Sequence, residues 1–215
     1  EKLYSFGIQS ERPIVIVLRN NAEFIISFLG VTNTSAVAAP LNPEFTDEEF
    51  NFYLDDINPS MVITSEGHSV IKQAKAKKIP TSVISFNNGS LKMDFDSEES
   101  EKKDLNKPNE KNSCLFLHTS GTTSRPKGVP LKHKNLLKSL KNIVDTYELD
   151  NNDIAMVVMP LFHVHGLIGV ALATLSSGGE IIIPEKFSAG AFWKLQKNCL
   201  LYTSPSPRDL STSRM

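Results

Sequence analysis

The run Ile14-Val15-Ile16-Val17-Leu18 is β-branched in its first four positions and has no polar residue. A strand wetted on one side alternates apolar with polar. An unbroken run is the pattern of a strand covered on both faces. The residues after it have the other period. Ala22–Val31 sets Phe24, Ile25, Phe28 and Leu29 at helical spacing. Ala36–Pro40 is a second short apolar run, closed by Leu41-Asn42-Pro43. Thr46-Asp47-Glu48-Glu49 is a capping box and predicts a helix through about Asp55. Met61–Thr64 reads as a strand, Ser69–Lys78 as a helix and Thr81–Phe86 as a strand. This alternation predicts an α/β fold, a layered and mostly parallel sheet with helices on both faces.

Asn87–Asn112 breaks the rhythm. Asp94, Asp96, Glu98, Glu99, Glu101, Lys102, Lys103 and Asp104 crowd into it, which predicts a solvated charged loop over about 87–112. Beyond it, Ser113–His118 reads as a strand. Lys132–Tyr147 is an amphipathic helix with Leu136, Leu140 and Ile143 on one side. Ala155–Met159 is a strand, Gly166–Leu175 a helix and Glu180–Ile183 a strand, and Ser188 caps a last helix holding Trp193. There is no internal repeat. Ile154–Leu175 has no formally charged residue over about the length of a membrane span. Pro160, His163, His165 and Gly166 in its middle would make a span costly, and a strand, a turn and a buried helix explain the same residues.

The chain has 215 residues, a net charge of −1, 40% hydrophobic and 22% charged residues. That fits one domain, or a domain and a piece of another, and excludes global disorder. The near-neutral balance argues against a dedicated nucleic-acid or membrane-surface binder. Two cysteines, Cys114 and Cys199, cannot build a disulfide framework or a four-ligand zinc site, and no metal ligand is nominated. The chain opens at Glu1, without Met or a signal-peptide pattern, and reads as a cut inside a gene product. Cys199–Met215 shifts abruptly to Ser, Pro and Arg, a composition that a linker also has. Cys199–Asp209 resembles a translated transposase-type sequencing adapter. Ser213-Arg214-Met215 resembles its continuation after an index at Leu210–Thr212. The expected organisation is therefore a partial domain over 1–198 and a non-native tail over 199–215.

The chemistry concentrates in Leu117-His118-Thr119-Ser120-Gly121-Thr122-Thr123-Ser124-Arg125-Pro126-Lys127-Gly128. Thr119, Ser120, Thr122, Thr123 and Ser124 each bring a hydroxyl and a backbone amide. Gly121 allows close backbone approach to a ligand, and Lys127 adds positive charge. Hydroxyls, free amides and one lysine make a phosphate clamp. It is not a Walker A loop, because Lys127 precedes Gly128 and no Ser or Thr follows. It is not a dinucleotide fingerprint either, because Gly121 has no glycine two residues on.

The string resembles the phosphate-binding signature of the adenylate-forming superfamily, the AMP-dependent acyl-CoA synthetases and ligases with the luciferases and adenylation domains. Ser124 stands where that family usually has Gly. The variant TSGTTSRPKGVPL, with Pro160-Leu161-Phe162-His163-Val164-His165-Gly166, is most similar to the oxalate–CoA ligases. Asn42-Pro43-Glu44-Phe45-Thr46 and Phe187-Ser188-Ala189 before Phe192-Trp193 fit that subgroup too.

The resemblance implies that 1–198 is a partial N-terminal AMP-binding domain. It implies that Thr119, Ser120, Gly121, Thr122 and Thr123 wrap the ATP phosphates, with Ser124, Lys127 and Gly128 in the same cofactor-binding motif. His163 would be the catalytic-site histidine beside the acyl-adenylate, and Phe162, His165 and Gly166 would line or support the substrate channel. Phe162 also has the character of a core residue, and His165 that of a helix cap or core residue. His118 reads as a strand residue, and His68 and His133 as surface residues.

The implied reaction joins a carboxylate to ATP, giving acyl-adenylate and pyrophosphate. A thiol, normally coenzyme A, then displaces AMP. Magnesium is expected with the triphosphate. Oxalate or another small carboxylic acid is the expected substrate. The adenine, ribose, magnesium and catalytic-lysine segments of the family are expected in a C-terminal part, supplied in cis, that this chain does not hold. The chain alone is expected to be inactive. Two other readings stay open: another AMP-forming acyl- or aryl-CoA ligase or an adenylation domain with another acceptor, and a truncated nucleotide-binding protein without catalysis. The compartment, cytoplasmic or peroxisomal, stays open as well.

Overall fold

The computed structural model describes residues 3, 11–87, 89–96, 107–119, 126–184, 188, 190, 192 and 193. The centre of the Ser/Thr-rich signature (residues 120–125) and the tail (199–215) lie outside the described residues.

The first half alternates as predicted: β1 (Pro13–Val17), α1 (Ala22–Thr32), β2 (Val37–Pro40), α2 (Asp47–Ile57), β3 (Met61–Thr64), α3 (Val70–Ala76) and β4 (Thr81–Asn87). Next come β5 (Ser90–Phe95), β6 (Ser113–Thr119), β7 (Lys127–Lys132) and α4 (His133–Tyr147). The strands form one seven-stranded sheet in the order β5-β4-β3-β1-β2-β6-β7. Its centre is parallel, and antiparallel pairs close both edges.

The chain order accounts for the layers. α1 carries the chain from β1 to β2, and α2 carries it back across β1 to β3. Crossovers of one hand must then place α1 and α2 on opposite faces. The two cores agree. Ile14, Ile16 and Leu18 join Phe24, Phe28 and Val31 of α1. Val15 and Val17 join Phe50, Leu54 and Ile57 of α2 and Val70 and Ala74 of α3. β1 thus feeds both cores by its two-residue alternation, which is why the run has no polar position.

Local signals set the helix ends. The Asn21 side chain accepts from Phe24 N–H (2.9 Å) and starts α1. The capping box of α2 is formed: Thr46 Oγ1 accepts from Glu49 N–H (3.3 Å), and Glu49 Oε2 accepts from Thr46 N–H (2.8 Å). α2 runs two residues past Asp55 and stops at Asn58, in the left-handed conformation (φ 46°) that Asn tolerates.

Three expectations are corrected. The segment expected to be a charged loop begins with a strand, β5, paired antiparallel to β4. Leu91, Met93 and Phe95 alternate there, and Met93 and Phe95 pack on the core. Asp96 fastens the end: its carboxylate accepts from Thr81 N–H and Thr81 O–H, both at 2.6 Å. The charge count hid this period-2 signal. Second, a further strand, β7, lies between the expected strand Ser113–His118 and the helix that follows. The signature is the connection of the β6–β7 hairpin, and Pro130 is tolerated because β7 is an edge strand. Third, the expected strand Ala155–Met159 is only β8 (Ile154–Met156), paired with β9 (Glu180–Ile182) in a separate two-stranded parallel sheet.

The expected helix over Gly166–Leu175 is present, but His165–Leu172 winds as a π-helix before the short α5 (Ala173–Ser176). No helix among the described residues is long and apolar enough to cross a membrane. At the far end, Phe192 N–H donates to Ser188 O (2.9 Å), a helical bond where the Ser188-capped helix was expected.

Cys114 is buried on β6, and burial pushes its thiol up to about 11, far from reactive thiolate. His133, expected at the surface, is half-buried, and its Nε2 is buried with no hydrogen-bond partner among the described residues. Burial lowers its pKa from the ordinary 6.5. The unfolded chain therefore takes up this proton first as pH falls. Stability from neutral His133 is fully present above the ordinary value and is lost as pH drops below 6.5 towards the folded value. Urea titrations at several values between about pH 7.5 and 5.5 should show a smaller acid loss in His133→Phe than in the parent. Equal losses would refute the assignment.

Candidate functional site

The carboxyl ends of β2 and β6 meet at a cleft of about 620 Å³. Ligands of open α/β sheets bind at such ends. Pro40, Leu41 and Asn42 come from the end of β2, and Leu117, His118 and Thr119 from the end of β6. Phe45 and Tyr53 form one wall. Pro126, Val129 and Leu131 form the β7 side, and Phe162, His163 and Val164 the opposite rim. No Asp, Glu, Lys or Arg is among these described lining residues. The polar members of the lining, among the described residues, are Asn42, Tyr53, His118, Thr119 and His163.

The signature meets this cleft at its neck. Thr119 and Lys127 face each other as the last pair of the β6–β7 ladder, and Thr119 Oγ1–H donates to Lys127 O (3.4 Å). The two ends of the Ser/Thr-rich connection are therefore held by a rigid hairpin. Ser120, Gly121, Thr122, Thr123 and Ser124 lie outside the described residues. Lys127 is exposed beside the neck and is not part of the lining. Gly128 is placed for packing, because a Cβ there would enter the Phe116 ring, with Cε1 at 2.9 Å.

Of the second motif, the structure brings Phe162 and His163 to the cleft, and leaves His165 and Gly166 outside its described lining. His163 is exposed, with its ring 4.5 Å from that of Phe162, which packs against the core. His165 lies along its own π-helix, where a Cβ on Gly169 would stand 3.5 Å from His165 Nδ1. Gly166 is buried where the helix start presses on the preceding loop.

Sequence reading missed several members. His118 is more than a strand residue. Its Nε2 is 2.9 Å from Asp56 Oδ2, and its ring packs edge-on to Tyr53 (4.7 Å) and Phe116 (5.2 Å). Its place at the strand end beside Thr119 was the available signal. Tyr53 stacks on Phe45 (4.8 Å). Its phenol is raised above the ordinary 10.0 by burial first, then by the charges of Glu49 and Asp56. His68 is not a free surface residue. Its Nδ1 accepts from Val70 N–H (3.1 Å), so Nε2–H is left to donate to Pro43 O (3.0 Å), which ties the loop after β2 to α3. Asn20, just beyond β1, holds the Phe162–His163 loop through its side-chain amide. No local pattern announced Asn20, because its partners lie 139 and 141 residues away.

A family model described as "AMP-binding enzyme" matches residues 2–203. The oxalate–CoA ligase of Arabidopsis thaliana is 39% identical over 210 residues, covering 92% of this chain and 40% of that protein. The oxalate–CoA ligase of Saccharomyces cerevisiae is 36% identical over 215 residues, covering 86% and 40%. The malonate–CoA ligase of Arabidopsis thaliana is 30% identical over 203 residues, covering 90% and 33%. Among solved structures, ATP-bound MatB from Rhodopseudomonas palustris matches with a TM-score of 0.75 at 23% identity, covering 89% of this chain and 38% of that one. This likeness concerns the fold. The chain spans about 40% of the length of the two oxalate–CoA ligases.

Proposed function

The chain belongs to the AMP-binding enzyme family, and from that premise we propose that it is the phosphate-clamp and acyl-site part of an ATP-dependent acid–CoA ligase. The observation that carries the reading is the Thr119–Lys127 neck. Thr119 and Pro126, the described residues on either side of the Ser/Thr-rich connection, line the same cleft as His163. In this reading a carboxylate attacks the α-phosphorus of ATP, pyrophosphate leaves, and the thiol of coenzyme A then displaces AMP.

Thr119, Ser120, Gly121, Thr122 and Thr123 act by positioning the β- and γ-phosphates and by stabilising charge on the leaving pyrophosphate. Ser124, Lys127 and Gly128 belong to the same motif, with Lys127 adding charge and Gly128 seating the hairpin on Phe116. His163 stands at the acyl-adenylate and Phe162 behind it. Magnesium would accompany the triphosphate. The described residues bring no three His, Cys, Asp or Glu together. Oxalate or another small dicarboxylate is the proposed acid, supported by the likeness to oxalate–CoA and malonate–CoA ligases.

Pyrophosphate–ATP exchange tests this on two proteins: the 215-residue chain, and the chain continued past Asn198 by the segments its relatives have. The chain alone should give no carboxylate-dependent exchange. The continued protein should exchange with oxalate at least about 10-fold faster than with acetate or coumarate, the preference that the likeness to oxalate–CoA ligases supports. Malonate, the other dicarboxylate, is the comparison within the class. Exchange favouring coumarate would overturn the substrate, and no exchange with any acid would overturn the ligase reading.

A further inference from the structure

The loop that carries His163 is fastened at one point by a side chain from the opposite end of the sequence. Asn20 lies just past the end of β1, the strand between β3 and β2 in the sheet. Its Nδ2–H donates to Met159 O (3.0 Å), and its Oδ1 accepts from Leu161 N–H (2.8 Å). One side-chain amide thus satisfies the two backbone groups on either side of Pro160, as a neighbouring strand would. Pro160 has no N–H to offer, and its carbonyl accepts from His163 N–H (3.1 Å). The carbonyl of His163 accepts from Leu167 N–H (3.0 Å) at the start of the π-helix. Leu161 is fully buried beside the clamp, while His163, two residues on, is exposed in the cleft wall. The bonds form a continuous path from the rigid sheet centre to the backbone of His163.

We propose that Asn20 is the positioning residue for His163. By holding Met159 and Leu161 it fixes the direction in which the imidazole enters the cleft. A catalytic role for His163 rests on the ligase reading above; the clamp does not. The neighbouring Asn21 supplies the contrast, because it caps α1 through Phe24 N–H (2.9 Å) and, among the described residues, makes no hydrogen bond to the His163 loop.

The test is NMR on the full chain, reading amide exchange and the His163 imidazole signal. In Asn20→Ala, the Leu161 amide should exchange about 10-fold faster, as expected when a partly buried hydrogen bond loses its acceptor. The His163 signal should shift or broaden, while amides of β1 and β3 stay protected. Asn20→Asp keeps an acceptor for Leu161 N–H and loses the donor to Met159 O. It should restore Leu161 protection and leave the His163 signal between those of the parent and Asn20→Ala. Asn21→Ala should lower the melting temperature with no change in the His163 signal.

An unchanged Leu161 rate and His163 signal in Asn20→Ala would overturn the proposal, as would an equal response in Asn21→Ala. If Asn20→Ala does not fold, an Asn20→Asp chain indistinguishable from the parent at His163 overturns it instead. These readouts need no substrate, so the clamp stands or falls on them whether or not the ligase reading holds. In the continued protein Asn20→Ala should lower kcat about 10-fold or more with KM for ATP little changed, because a misplaced group costs rate rather than phosphate binding.

Discussion

Replacing Phe50 by alanine should destabilise the chain by about 4 kcal/mol, and by far more than any surface change. Phe50 is fully buried on α2, beneath the wall of the cleft. Its ring packs edge-on against Phe45 (5.9 Å) and His68 (5.6 Å), and Phe45 carries Tyr53. Truncation would leave a cavity between α2 and the β1–β3 face and remove the support of two cleft residues. Domains of this kind are stable by about 5 to 15 kcal/mol, so the loss is a large share of the total. It should appear as a melting temperature about 10 °C lower. Phe50→Leu keeps most of the volume and should cost about 1 kcal/mol. Urea unfolding of the three proteins measures both, and a loss below about 1 kcal/mol in Phe50→Ala would show that the cavity closes without cost.

Gly166→Ala should cost about 3 kcal/mol, the upper part of the range for overpacking. An added Cβ would fall against the Pro160 carbonyl oxygen, with Met159 O at 2.7 Å and Pro160 C at 2.9 Å. These are backbone atoms of the loop that Asn20 clamps, so they cannot turn aside as a side chain would. Either the helix start retreats or the clamp lengthens. Gly30→Ala is the counter-case within the same molecule. Gly30 lies inside α1, where, among the described residues, a Cβ would meet Leu3 Cδ1 at an ordinary 3.6 Å. That change should stabilise by about 0.5 to 1 kcal/mol through helix propensity. Opposite signs for the two substitutions in urea titration are the expected result, and a neutral Gly166→Ala would refute the close packing.

The βα alternation was legible because each signal was local. The unbroken Ile14–Leu18 run reported two covered faces, and Thr46 with Glu49 reported a helix start within four residues. β5 was misread because its alternation is short and set among acidic residues whose number, not their period, was weighed. The order β5-β4-β3-β1-β2-β6-β7 has no local signature, although the handedness of crossovers narrows it strongly.

The candidate site divides in the same way. By itself the sequence showed the Ser/Thr-rich string from Thr119 to Gly128, because residue type and spacing are properties of neighbours along the chain, and the family resemblance pointed to the histidine motif near 163. Only the tertiary structure decided that His163 and Thr119 share a cleft, that His118 turns to Asp56, and that His165 stays outside the described lining. It alone showed why Gly128 and Gly166 are glycines, one beneath the Phe116 ring and one against two carbonyls. It alone joined Asn20 to Leu161 across 141 residues. The reason is physical: a hydrogen bond or steric contact depends on distance in space, and two distant segments reveal it only once the sheet has placed them side by side.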